Sequence, residues 1–462
     1  MTFGLQKCAK VEVIRGKLSR REDIILSDGQ IINNLGEERR YRYLGVQQTY
    51  EIKQQENKRE VEEQMITRVR KILSTQLSAK NKITAINTWA IPAFSYTAGI
   101  LNWSKTDLER LDRRVRAIFT QHGMLHPNSA IERLYIQRSE GGRGLTSIEI
   151  TDLKEKNNLK RYFGNETLPL HRLVSAMFDS RTPNAAERAE PETEELEEKW
   201  KRNWQTKPLH GRFYTSLHQP EVDMKSSNTY LTQGYLFPQT EGTFLAIQDQ
   251  VVPTRVYIKH IMKQRVETTK CRLCNQEEES VQHLSSGCSA IAGTKYLSRH
   301  NNMGKVVHQL LGLKELLIKN FTPHHLYNPQ ALLENSDVKI YWDIPIATDQ
   351  GVEHNRPDLV IWDKKKNEAT IIDFAVPFDQ NLMKAYKDKT SKYEALARQM
   401  KSMWRLQKVE IKPMIISCNG LVHRKTVQHI RELQLPINAL CWMQKAVILG
   451  TVNIIRQVVY PH

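Results

Sequence analysis

Residues 356–379 read RPDLVIWDKKKNEATIIDFAVPFD, and the rest of the C-terminal half is organised around them. Two runs rich in β-formers, Asp358–Asp363 and Ala369–Val376, flank the polar, lysine-rich segment Lys364–Glu368. That pattern predicts a hairpin. A third run of the same kind, KIYWDIPIA, precedes them at 339–347. Asp358 opens the Asp358–Asp363 run directly after a proline, and Asp373 sits inside the Ala369–Val376 run, between Ile372 and Phe374. A carboxylate in such a run is costly to bury unless a cation or strong donors meet it. Taken singly, the two residues read as an Asp in a turn and an Asp at a strand edge. Taken together on paired strands, they could share one divalent cation, with the oxygen ligands that Mg²⁺ prefers.

From Asn381 to Leu406 the spacing predicts one helix. Leu382, Tyr386, Tyr393, Leu396, Met400 and Met403 fall at alternating steps of four and three, and the position missing from the stripe is Lys389. A lysine aimed along a buried stripe either snorkels to the surface or needs a partner for its charge. The Asp358/Asp373 pair would be such a partner, and the ammonium would then polarise an attacking water or a scissile phosphate. A further strand-like run, Val409–Ser417, is followed by Asn419-Gly420 and another helical segment. Strand, strand, strand, helix, strand, with acids on the hairpin, is the core order of restriction-type nucleases.

These residues resemble the restriction-like endonuclease of site-specific non-LTR (LINE-type) retrotransposons. Its signature is matched by RPD, fourteen residues, an Asp, and then a KxxKY segment, here Lys389, Lys392 and Tyr393. Restriction-type nucleases commonly carry a lysine two residues after the second acid, where this chain has Ala375. In the retrotransposon group the lysine lies on the following helix. The resemblance therefore implies Asp358 and Asp373 as Mg²⁺ ligands and Lys389 or Lys392 as the catalytic lysine. It implies that Tyr393 orients the helix or contacts DNA. The stripe favours Lys389 over Lys392.

The bulk properties suit a nucleic-acid partner. At 462 residues the chain is long enough for two to four domains with their own cores. Its net charge is +17 and its pI about 9.5, with Lys and Arg spread along the whole length. Such a surface associates with polyanions and releases them in salt. No segment approaches a membrane-spanning length of apolar residues, and the N-terminus lacks the apolar core of a secretory signal. Six cysteines, three of them clustered with a histidine, point to a reducing compartment and a metal rather than to disulfides.

The first fifty residues hold strand-like runs (KVEVIRG, SDGQIINNL, RYRYLGVQ) that would need a larger sheet to complete them. FGLQKCA at Phe3–Ala9 is similar to the late palm segment of LINE-type reverse transcriptases, and Tyr43-Leu44-Gly45-Val46 to the primer grip that follows it. The polymerase aspartates belong upstream as an Asp-Asp pair, and none occurs in this chain. Met1 is accordingly expected to be internal to a longer element. From Asn57 to Ser78 a helix is predicted with Val61, Met65, Val69, Ile72, Leu73 and Leu77 on one face. A second, Asn81–Ile100, is interrupted at Pro92. A third is capped by Ser104 with Asp107 and presents Leu108, Leu111, Val115 and Ile118. These helices read equally as an ordinary bundle with a solvated basic face. By resemblance, NKITAINTWAIPAFSYTAGILNWS and RLYIQRSEGGRGL (Arg133–Leu145) are similar to this family's thumb.

Seven glutamates fall between Glu187 and Glu198, with prolines nearby, and mark an exposed acidic linker within 179–225. Beyond it, TQGYLFPQTEGTFLAIQDQVVPTR resembles the linker that precedes the family's zinc knuckle. The knuckle itself is Cys271-x2-Cys274-x8-His283-x4-Cys288. Three thiolates and one imidazole close a tetrahedral Zn²⁺ site with no open position, so its role should be structural. Arg255, Lys259, Lys263, Arg265, Lys270 and Arg272 around it suggest a surface facing nucleic acid. YLSRHNN (Tyr296–Asn302) also belongs to the family pattern, but its residue types assign it no chemistry.

The expectation for the whole chain is an α+β, multidomain protein. It runs from the end of a reverse transcriptase palm (1–50) to a helical thumb (51–178), then an acidic and helical linker (179–265). A CCHC zinc knuckle (266–300) and a restriction-type nuclease core with a mixed sheet (301–462) complete it. Such a chain would nick target DNA with Mg²⁺ and so prime reverse transcription, without polymerising DNA alone. The rival is a catalytically inactive relic that grips nucleic acid through thumb and knuckle. The implied partners are target DNA and retrotransposon RNA, with no membrane, at an intracellular and nuclear site of action. Nothing in the residues sets an oligomeric state.

Overall fold

A computed structural model describes residues 8–15, 17, 18, 22–35, 41–49, 51–165, 168–180 and 193–460. Phe3–Lys7 of the palm-like segment and Glu187–Glu192 of the acidic run lie outside the described residues. The protein is α+β, about 53% helix with mixed sheets. It divides into two compact units.

The first unit comprises 1–75, 84–118 and 146–196. Its N-terminal residues form short strands, with Ala9–Lys10 parallel to Ile31–Asn34, which pairs in turn with Ile24–Ile25. Two small hairpins accompany them. Helix Gln54–Leu73 buries Val61, Met65, Val69, Ile72 and Leu73, the face its 3.6-residue period predicts. Leu77 lies beyond the helix end and stays exposed. Ser104 and Asp107 form the expected capping box at helix Lys105–Gln121. The Asp107 amide donates to Ser104 Oγ at 3.2 Å, and the Ser104 amide donates to Asp107 Oδ2 at 3.3 Å. Asp107 also meets Lys58 at 2.8 Å, and Glu62 meets Arg110 at 2.5 Å and Arg114 at 2.9 Å. Part of the basic face is therefore engaged in ion pairs between the two helices. Pro92 has no N–H to donate to Thr88, and the chain widens into a π turn, Ile86–Ala90, just before helix Ile91–Ala98.

The second unit comprises 76–83, 119–145 and 197–462. Helix α1 (Leu297–Lys314) leads into a five-stranded sheet of β1 (Leu332–Glu334), β2 (Val338–Trp342), β3 (Leu359–Asp363), β4 (Glu368–Ala375) and β5 (Lys408–Ile415). The spatial order is β5-β4-β3-β2-β1. β3 and β4 form the predicted hairpin, and β4 pairs with β5 in parallel. Between them run α2 (Leu382–Lys392) and α3 (Glu394–Met403); α4 (Arg424–Glu432) and α5 (Asn438–Val459) follow β5. The single helix expected over 381–406 is in fact two. The chain tightens at Tyr393, whose amide donates to Thr390 O at 3.3 Å, and this turns the ring inward until it is fully buried.

β4 is covered on both faces, which is why it reads as a near-continuous apolar run. Ile372 and Phe374 pack with Leu359 against Met303, Val307 and Leu311 of α1 and Met443 and Val447 of α5. Ala369 and Ile371 pack with Val360 against Tyr393, Leu396 and Met400. Asp373 shares the alternation of the second set. α5 also joins a separate core that contains Cys271, Leu284 and Cys288.

The RLYIQRSEGGRGL segment points its arginines inward. Arg133 meets Asp249 at 2.8 Å, Arg138 meets Glu241 at 3.0 Å and Arg143 meets the same carboxylate at 2.9 Å. Both acids belong to the TQGYLFPQTEGTFLAIQDQ stretch, so the two motifs pair with each other inside this unit. Each buried charge there has an opposite charge within hydrogen-bonding distance.

Candidate functional site

The four predicted zinc-knuckle residues come together. One ligand atom from each of Cys271, Cys274, His283 and Cys288 lies within 4.8 Å of all the others. The Cys271 and Cys288 sulfurs are 3.9 Å apart, and Cys274 Sγ is 3.4 Å from His283 Nε2. Ligands at ~2.3 Å from a tetrahedral centre sit ~3.8 Å apart, so this spacing suits a zinc ion. A tight turn presents the first pair, with Asn275 at a φ of 55° and its amide donating to Cys271 O at 2.8 Å. The Leu273 amide points at Cys271 Sγ (3.4 Å). Backbone N–H groups of Glu277 and Gln276 pull the Cys274 thiol down to about 6, whereas burial pushes Cys288 up. The set can hold a metal ion such as zinc.

The loop is tied into the second unit. Arg272 grips the fully buried Glu279 at 2.7 Å and donates to Val458 O of α5 at 2.7 Å. Arg255 donates to Lys270 O at 2.8 Å. These two cations therefore serve the loop itself, while Lys259, Lys263, Arg265 and Lys270 remain exposed.

The second constellation lies where β3 begins and β4 ends. Leu359 pairs with Ile372, and that antiparallel register continued by one residue sets Asp358 opposite Asp373. Asp373 is 1% exposed and is met from the following helices. Lys389 Nζ lies 2.5 Å from its Oδ2, and the Tyr393 hydroxyl donates to its Oδ1 at 2.7 Å. Lys392 does not reach the acids; its ammonium lies over the Tyr393 ring, 4.8 Å from the centroid. The gap in the apolar stripe at Lys389 is thus filled by an ion pair with a buried carboxylate.

Asp358 is met by two groups at one oxygen. The Phe374 amide donates to Oδ2 at 2.7 Å, and His300 Nε2 approaches the same atom at 3.1 Å. His300 also lies 3.0 Å from Phe374 O. Both partners of Nε2 are acceptors, so Nε2 carries a proton. Burial works against a charge on His300, but the contact and charge of Asp358, with Asn301 and Asp373 adding, together outweigh it and push the imidazole up to about 9. Burial likewise opposes the Asp358 charge, and His300, the Phe374 amide and the Lys389 charge together override it and hold that carboxyl below its usual range. Burial and then the Asp358 charge raise Asp373, against the pull of Lys389 and Tyr393. Two facing carboxyls with pKa values pushed apart are a common feature of hydrolytic sites.

His300 escapes a reading based on periodicity because it stands 58 positions before Asp358 on another element. The signal for it was YLSRHNN. The Tyr296 hydroxyl donates toward His283 O (3.0 Å) and Leu284 O (2.9 Å) and accepts from the Cys288 amide (3.0 Å). Arg299 donates to Ser285 O at 2.8 Å. The motif thus joins the cysteine–histidine loop to the acid pair. Among the described residues no helix is long and apolar enough to cross a membrane. Compared with known proteins, the chain matches no family model and no curated protein.

Proposed function

We propose that the chain is a metal-dependent DNA endonuclease, with a restriction-type core over 301–462, and that it is the C-terminal part of a LINE-type retrotransposon protein. The observation that carries this reading is the meeting of Asp358, Asp373, Lys389 and Tyr393 at one end of the β3–β4 hairpin. The residues fit a hard divalent cation, since two facing carboxylates form a like-charge pair with Asp358 Oδ1 free of hydrogen bonds among the described residues. When bound, Mg²⁺ would supply Lewis acidity at the phosphate and a more acidic water.

The protein groups divide the remaining work. Lys389 offsets negative charge as it builds on the phosphate oxygens. The Tyr393 hydroxyl holds Asp373 in one rotamer. Hydrolysis breaks a phosphorus–oxygen bond of one strand and frees a 3′ hydroxyl that can prime synthesis by a polymerase. The +17 charge supplies phosphate contacts that do not depend on sequence. The palm-like (1–50) and thumb-like (51–178) segments and the zinc loop are read as further nucleic-acid contacts, with element RNA as the second partner.

Nicking of supercoiled plasmid by zinc-loaded protein, with and without Mg²⁺, tests the proposal. Wild type should nick only with the metal, and Asp373→Ala should not nick while its DNA affinity stays close to wild type. Equal activity of the two would end the nuclease reading and favour a protein that only binds nucleic acid.

A further inference from the structure

We infer that His300 is a positioning residue of the acid pair, holding Asp358 so that one carboxylate oxygen is kept for the cation. This rests on the metal-dependent reading above and adds to it a group delivered from a different element.

The geometry is specific. The Phe374 amide donates to Asp358 Oδ2 at 2.7 Å, and His300 Nε2 lies 3.1 Å from the same oxygen as its ion-pair partner, while its hydrogen bond runs to Phe374 O at 3.0 Å. With the amide and the imidazole both at one oxygen, Oδ1 is left without a hydrogen-bond partner among the described residues. A ligating carboxylate held in this way loses its rotational freedom before the metal arrives, so binding does not have to order it. Nδ1 lies 3.0 Å from Asn301 Oδ1, which orients the ring from its other side.

The helix that carries His300 is seated closely. One turn further along α1, a Cβ on Gly304 would meet the Trp342 ring at 2.7 Å and the Phe374 ring at 2.8 Å. Only a glycine lets the helix lie this near β4, at the residue whose amide and carbonyl contact Asp358 and His300. The preceding turn is fastened by Arg299 to Ser285 O and to Thr451 Oγ1 of α5 (3.0 Å). Tyr296 fastens it to the loop of Cys288. Three independent contacts thus place the imidazole between the Asp358 carboxylate and the Phe374 carbonyl.

The test uses zinc-loaded full-length protein and Mn²⁺ as the probe, with binding followed by electron paramagnetic resonance of the free ion. Wild type, Asp373→Ala, His300→Ala and His300→Gln are compared, the last because its amide N–H can still reach the same two oxygens. His300→Ala should bind Mn²⁺ ~10–100-fold more weakly, the usual loss when an outer partner of a ligand is removed. His300→Gln should recover most of it. Nicking by His300→Ala should need correspondingly more Mg²⁺ but approach the wild-type rate at saturation. Wild-type affinity in His300→Ala, with none in Asp373→Ala, would overturn the role of His300 and leave the nuclease reading intact. Failure of His300→Gln to recover would overturn the donor role as well. If Asp373→Ala binds Mn²⁺ as wild type does, the metal site itself is wrong, and the inference falls with it.

Discussion

Replacing Lys389 should cost far more than replacing Lys392, although both are lysines of one KxxK segment. Lys389→Ala leaves Asp373, 1% exposed, with the Tyr393 hydroxyl but without the ammonium 2.5 Å away. Breaking a buried ion pair from one side typically costs about 3–5 kcal/mol. Protonation sets a ceiling, because neutralising a carboxyl of ordinary pKa at pH 7 costs only ~4 kcal/mol. The raised pKa of Asp373 lowers that ceiling, and water reaches the Lys389 side chain, which is 25% exposed. The expected loss is therefore about 2–3 kcal/mol. Lys392→Ala removes a cation–π contact worth about 0.5–1 kcal/mol. Because the chain divides into two units, the readout should be local. Hydrogen exchange of the β3, β4 and β5 amides, in zinc-loaded protein without Mg²⁺, reports opening of this sheet alone. In an Asp373→Asn background the Lys389→Ala loss should shrink to under about 1 kcal/mol, because no buried charge is then stranded. Equal losses at the two lysines, or a Lys389 loss unchanged by Asp373→Asn, would refute the ion pair as the reason for this lysine.

Purified protein should contain about one zinc per chain, and Cys274→Ser should remove it and speed hydrogen exchange in α5 near Val458, which Arg272 ties to the loop; metal analysis and exchange mass spectrometry check both. Asp379 is buried, and desolvation pushes its carboxyl up to about 6. Its folded value lies above its unfolded one, so stability is fully present below pH 4 and is lost as pH rises through 6. Asp379→Asn should remove that loss, gaining on wild type by up to ~3 kcal/mol at pH 8 and by nothing at pH 4 in urea titrations. Affinity for duplex DNA should fall ~10³-fold or more between low and moderate salt. A flat salt dependence, read by fluorescence anisotropy, would mean that the positive charge is not the binding surface.

Much of the local structure was legible because it depends on neighbours in sequence. The β3–β4 hairpin follows from two apolar runs around a polar turn, and the Ser104/Asp107 cap from a four-residue pattern. The cysteine–histidine cluster follows from spacing in the same way, since a CxxC turn presents two ligands wherever it folds. Asp358 and Asp373 were legible as a facing pair because antiparallel register ties them together across one short turn. The misplaced single helix over 381–406 shows the limit. Its 3.6-residue period is real on both sides, but the chain tightens at Tyr393, whose hydroxyl meets Asp373.

Partners distant in the chain were decided only by tertiary structure. Net charge counts Arg133, Arg138, Arg143 and Arg272 as surface cations, yet packing turns them onto Asp249, Glu241 and Glu279. His300 offers no periodic signal, and its value lies in reaching Asp358 across a helix-to-sheet contact that Gly304 permits. Spacing and alternation determine which residues share a face, because those follow from backbone geometry alone. Which side chains from different elements then meet depends on how the faces pack, and a one-dimensional pattern carries no record of that.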